Sequence, residues 1–211
     1  MNADFADQNF KVFIKVKIKV LIRVHTRSST AEKDMFETER LIIRQFTYDD
    51  LPRLIEMRSD EEVIRYIGSR RLQNPEAIEK RLKFYIDCYE EYGYGMSAMI
   101  WKATGEMIGW SGLQPLEATG ETEVGYGMIK EFWNRGIGYE CARAWLEYAF
   151  SRTNATRIVA IAAPENKGSW RIMEKCGMRY EKLDEHYGMP CVFYAISKDE
   201  FLKSFQTWGK N

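Results

Sequence analysis

The chain has little histidine, no surplus of charge and no long apolar run, and each shortage removes a class of function. Only His25 and His186 occur among its 211 residues, so a zinc site or a Ser-His-Asp relay would have to be assembled from almost nothing. Lys and Arg total 31, and so do Asp and Glu. Without a global positive field, nothing draws the chain onto nucleic acid or an anionic membrane, and any anion must be gripped locally. The cysteines Cys88, Cys141, Cys176 and Cys191 lack metal-ligand spacing. With no secretory or membrane-length apolar segment beside them, they are read as reduced thiols of a cytoplasmic, metal-free protein. A phosphate-binding G-x-x-x-x-G-K-[ST] run is also missing, and Cys141 occupies the last position of the G-x-G-x-x-G fingerprint begun by Gly136 and Gly138.

What is present, 45% hydrophobic and 14% aromatic residues, suffices for one substantial core. Residues 1–34 stand apart. KVFIKVKIKVLIRV, from Lys11 to Val24, alternates cations with β-branched residues as a lone strand would, and a linker-like RSSTAEKD follows. They are expected to be a mobile extension or an over-long start, ahead of a domain over 35–205 and a tail over 206–211. ERLIIRQF then reads as a strand, and Thr47 with Asp50 starts a helix. Asn74 and Pro75 cap a long amphipathic helix that stops near Gly93. YGMSAMIWK, EMIGWSGLQPL and ETEVGYGMI form an antiparallel meander. The second half alternates: a helix over 137–150, the strand RIVAIAA, a helix over 166–175, and two closing strands. This order predicts a mixed α/β (α+β) sheet, mostly antiparallel, with a crossover to a parallel neighbour and flanking helices.

The sharpest local feature is FWNRGIGYECARAWLEYAF. Gly136 and Gly138 stand at a helix mouth, where first-turn amides lack internal partners and the helix dipole adds positive charge. The amides from Asn134 to Tyr139 suit a pyrophosphate, with Arg135 adding charge from the side; a helix that simply begins with a glycine turn is the plainer reading. The tryptophans Trp101, Trp110, Trp133, Trp145 and Trp170 are read as core or pocket lining, Cys176 as a small buried apolar group, and Arg70 with Arg71 as a solvated loop.

Four ordered segments carry a family resemblance beyond the glycine pair: ETERLIIRQF, EVGYGMI with WNRGIGYE, PENKGSWRIMEKCGM, and FYAISKDEFL. Over roughly Phe36 to Leu202 the chain resembles the GCN5-related N-acetyltransferases (GNAT), most closely their ribosomal-protein-alanine (RimJ/RimL-like) branch. The resemblance implies a sheet splayed between its fourth and fifth strands, where the pantetheine arm of acetyl-CoA lies. It also implies direct acetyl transfer to an amine, either a small molecule or a peptide or protein N-terminus, by a monomer or homodimer. By position, Met128, Ile129 and Lys130 would offer backbone partners to the pantetheine. Trp133, Asn134, Arg135, Gly136, Ile137, Gly138 and Tyr139 would form the pyrophosphate loop, and Arg171 would reach a coenzyme phosphate. Asn166 would hold the pantetheine or orient the acetyl group, and Ser169 would stand beside the sulfur. Where many relatives have a proton-donating tyrosine this chain has Met173, so Ser169 inherits the general-acid role. Glu123 is the first candidate base and His186, in DEHYGMP, the second. The rival reading is a non-catalytic acyl-CoA binding or sensing module.

Overall fold

The computed structural model describes residues 34–67, 74–117 and 119–208. The reading of residues 1–33, and that of Arg70 and Arg71, therefore lies outside the described residues.

Eight strands form one sheet in the order β1-β2-β3-β4-β5-β6-β8-β7. They are β1 (Asp34–Glu37), β2 (Leu41–Gln45), β3 (Met96–Trp101), β4 (Glu106–Pro115), β5 (Thr122–Met128), β6 (Arg157–Ala162), β7 (Arg179–His186) and β8 (Met189–Ser197). All neighbours pair antiparallel except β5 and β6. That parallel pair needs a crossover, and α4 (Ile137–Arg152) supplies it. The fold class is the mixed, mostly antiparallel α/β sheet read from the sequence. One strand was not foreseen: β1, which turns at Thr38–Arg40 and pairs with β2. Its presence moves the parting expected between the fourth and fifth strands to β5 and β6.

Local sequence explains the helices on one face of the sheet. α1 (Leu51–Arg58) follows a single 3-10 turn at Tyr48–Asp50. There the Asp50 carboxylate accepts from the Thr47 amide at 2.9 Å and from both ends of the Arg44 fork at 2.7 and 2.8 Å. Burial alone would raise its pKa; the Arg44 fork and the Thr47 amide outweigh it and hold the carboxyl below its ordinary range. A four-residue α2 (Glu61–Ile64) is capped by Asp60. α3 (Pro75–Tyr92) begins where Asn74 Oδ1 accepts from the Ala77 amide at 2.8 Å, and ends at Gly93 with φ 74°. Its i, i+4, i+7 row Ile78, Leu82 and Tyr85 packs with Leu54, Met57 and Trp110 as one core layer.

The opposite face holds the larger core. Trp145 and Phe150 of α4 meet Phe36, Ile108 and Phe201 there, and the buried Trp145 indole donates to Ser111 Oγ at 2.9 Å. α5 (Lys167–Lys175) and α6 (Lys198–Trp208) complete this layer. Cys88, Cys141, Cys176 and Cys191 are all buried, and none is in a disulfide. Among the described residues no helix is long and apolar enough to cross a membrane.

Candidate active site

β5 and β6 meet in register only at Glu123 and Val159. Beyond that pair the two strands part, and a cavity of about 180 Å³ opens between residues of β5 (Glu123, Gly125, Tyr126) and of β6 (Ile161, Ala162). Two glycines on β5 matter for its shape: Gly127 faces the Trp110 ring, where a Cβ would lie 2.4 Å from Cζ2, and Gly125 faces Met96.

Three of the residues expected at the site reach this cavity: Glu123, Asn166 and Ser169. Glu123 is buried, and Gln114 Nε2 donates to its Oε2 at 2.9 Å, with the Tyr187 hydroxyl at 3.4 Å from the same oxygen. No described group donates to Oε1. Desolvation pushes the Glu123 pKa up to about 7, more than these two donors pull it down. Asn166 caps α5, its Oδ1 accepting from the Ser169 amide at 3.2 Å. That leaves the carboxamide N–H groups as donors toward the cavity. The Tyr126 hydroxyl stands 3.0 Å from the Ser169 carbonyl oxygen and 3.2 Å from Ser169 Oγ. When the phenol donates to the carbonyl, the serine proton stays available to a third group. Desolvation by burial raises the Tyr126 pKa, so the phenol stays protonated. Met173 lies in the same wall.

His186 does not join them. Its ring is buried against Phe193, 5.8 Å between centroids, with both nitrogens lacking a hydrogen-bond partner and Asp184 3.9 Å away. The next residue, Tyr187, lines the cavity instead. Tyr187 and Gly188 form a two-residue hairpin turn with φ of 53° and 72°, the pair of left-handed conformations that tight hairpins demand. The sequence reading missed Tyr126, Tyr187 and Gln114. Strand alternation would have placed Tyr126 on the same face as Val124 and Met128, and the Y-G turn would have put Tyr187 at a hairpin tip.

The loop ahead of α4 is shaped by two left-handed residues, Asn134 with φ 57° and Gly136 with φ 77°. Gly138 has a different task. Any Cβ on it would sit 2.7 Å from Ile172 Cδ1 and 3.4 Å from Met128 Cε, so it lets α4 pack against α5. Ile137 is buried and Tyr139 half-buried, while Asn134, Arg135 and Gly136 are exposed. Arg135 lays its guanidinium over the Phe132 ring at 5.2 Å. Its carbonyl accepts from Arg40, which also binds the Glu140 carboxylate through Nε at 2.6 Å and through its backbone amide at 2.8 Å. The Ile129 amide is given to the Ile108 carbonyl, so ladder alternation turns the polar groups of Met128 toward the open edge of β5. The Met128 carbonyl there accepts from Trp133 Nε1 at 2.8 Å. Trp133 is exposed, and so is Arg171, whose guanidinium lies 5.9 Å from the Trp170 ring. Among the described residues no group of three or more His, Cys, Asp or Glu side chains could hold a metal ion.

An open mixed sheet parted at its parallel strand pair, with a cavity in the parting and a left-handed loop at the crossover helix's mouth, defines a class of α/β fold, and comparison with known proteins supplies its activity. Residues 40–179 match the family model described as the acetyltransferase (GNAT) domain, and the chain belongs to that family. It is 32% identical to the uncharacterized N-acetyltransferase YnaD of Bacillus subtilis over 178 residues, 78% of this chain and 97% of that protein. It is also 37% identical to the uncharacterized protein YkkB of the same organism over 108 residues, 49% of this chain and 63% of YkkB. The crystal structure of a GNAT-family acetyltransferase from Bacillus anthracis superposes with a TM-score of 0.66 at 27% identity, covering 77% of this chain and 98% of that one. RimL, a ribosomal L7/L12 alpha-N-protein acetyltransferase solved in complex with coenzyme A, shares the fold with a TM-score of 0.65 at 17% identity, covering 77% and 97%.

Proposed function

We propose that the chain transfers the acetyl group of acetyl-CoA directly to a primary amine, with a small molecule or a protein N-terminus as acceptor, in the ribosomal-protein branch that its motifs resemble. The observation that carries this reading is one cavity at the parting of the sheet that is lined by a buried carboxylate, a helix-capping asparagine and a serine backed by a phenol. The coenzyme diphosphate would sit on the first-turn amides of α4, reached by the loop through Gly136, and the pantetheine arm would run along the open edge of β5 at Met128. Glu123 takes the amine's proton as nitrogen attacks the thioester carbonyl; as the C–S bond breaks, Ser169 passes a proton to the departing sulfur and regains one from solvent, to which Glu123 releases its own. Tyr126 holds the serine in place. Much of the acceleration comes from fixing amine and thioester within reach of each other.

Ser169→Ala tests the reading against the rival of a silent coenzyme binder. Coenzyme binding, followed by calorimetry, is expected to stay within about twofold, while turnover over a broad amine panel falls roughly 10²-fold. Tight binding without turnover on any amine in the unaltered protein supports the sensor instead.

A further inference from the structure

We propose that the acceptor is an amine whose own molecule carries a carboxylate, an inference that rests on the transferase reading above and names its substrate class. Among the described residues the charged side chains lining the cavity are Arg58, Arg81 and Glu123. The two guanidinium groups come from different helices, α1 and α3, so they are a property of the wall and not of one surface turn. Arg58 is 4% exposed, donates to the Tyr85 hydroxyl at 2.9 Å and lies 4.7 Å from the Trp110 ring centroid. It cannot swing out to solvent to avoid an incoming cation. Arg81 is half-buried, and its guanidinium sits 5.8 Å from the Phe84 ring.

Arg58 is engaged within the wall, so Arg81 is the group that sets a positive charge in the same cavity as the Glu123 carboxylate. A polyamine or another multiply charged cationic acceptor would spend one ammonium on Glu123 and press the rest toward Arg81, in a partly desolvated space where like charges repel strongly. A zwitterionic acceptor reverses the sign at its second end. Its amine meets Glu123, and its carboxylate meets a planar fork of donors suited to gripping both oxygens. The same chemistry is offered by a free α-amino acid and by a peptide N-terminus with an acidic side chain close behind it.

The test compares matched acceptors with the full chain and acetyl-CoA: an α-amino acid against its primary amide, a short peptide with Asp second against the same peptide with Asn second, and spermidine. The carboxylate member of at least one pair is expected to be favoured about tenfold or more in kcat/KM, and which pair responds separates the free amino acid from the peptide. Arg81→Gln should shrink that preference to about twofold through KM, and Arg81→Lys should restore part of it, both variants melting near the parent temperature. Equal or better use of the amide member in both pairs, or of spermidine over every carboxylate acceptor, overturns the inference while leaving the transferase reading intact. A preference that survives Arg81→Gln undiminished overturns it too. Acetylation of no amine at all removes the transferase reading and this inference with it.

Discussion

Glu123 is a carboxylic acid that holds its proton until about pH 7 because it is buried, and two consequences follow with definite signs. In the proposed role of base it would work only when ionised, so kcat/KM should rise with pH through about 7; Glu123→Gln should remove that limb and lower kcat/KM by roughly 10²-fold above it. For stability the sign is the opposite. Between the ordinary carboxyl value of 4.5 and about 7 the folded chain keeps a proton that the unfolded chain has released, so stability falls as pH rises across that window. Denaturant titrations at several pH values should show the fall in the parent and a flatter profile in Glu123→Gln. Glu123 was named from EVGY as a carboxylate for proton transfer, and it lines the cavity. Tyr126 and Tyr187 were not named, because a phenol's role depends on what its oxygen reaches. The Tyr126 hydroxyl meets Ser169, 43 positions away, and that of Tyr187 meets Glu123, 64 positions away. Met173 drew attention to a missing proton donor, yet the phenol beside Ser169 comes from β5, a different element.

Helix ends were the most readable elements, because capping is local chemistry. Asn74 with Pro75, Gly93 and Asn166 each stand where their side chains or backbone freedom predict. The S-K-D-E run at Ser197–Glu200 held the same signal and went unread: the Ser197 amide donates to the Glu200 carboxylate at 3.0 Å, and α6 follows. The glycine pair was read as one motif and is two devices. Gly136→Ala must bear φ 77° with no close neighbour nearer than Arg40 at 3.5 Å, an expected cost of about 1 kcal/mol. Gly138→Val has no such room. It should destabilise by about 1–3 kcal/mol through crowding of α4 against α5, and Ile172→Ala in the same chain should recover part of that loss in melting temperature. Gly138→Ala, which gains helix propensity while displacing only the tip of Ile172, should be milder than either prediction for valine.

At the scale of the whole molecule, the meander and the parallel crossover followed from the sequence's switch from meander to alternation; the placing of β8 between β6 and β7 did not, nor did β1, since DMFE is too short to show a period. The parting of β5 from β6 is invisible to local pattern, because it depends on where two distant strands stop pairing. A protein built to hold a carrier across that parting should be stabilised by it. Coenzyme A at about 100 times its dissociation constant should add about 2.7 kcal/mol to unfolding, and Gly136→Glu should abolish the shift. The tie between Arg40 and Glu140 bears on that grip. Glu140 places a full negative charge one turn inside the helix whose mouth would receive the diphosphate, and Arg40 lies against it at 2.6 Å while Thr38 donates to the other oxygen. The guanidinium thus cancels an electrostatic plug in the doorway. Stripped of it, Arg40→Ala would leave an anion guarding an anion site, and added salt, which ordinarily loosens such a grip, should weaken coenzyme capture by that variant less steeply than capture by the parent.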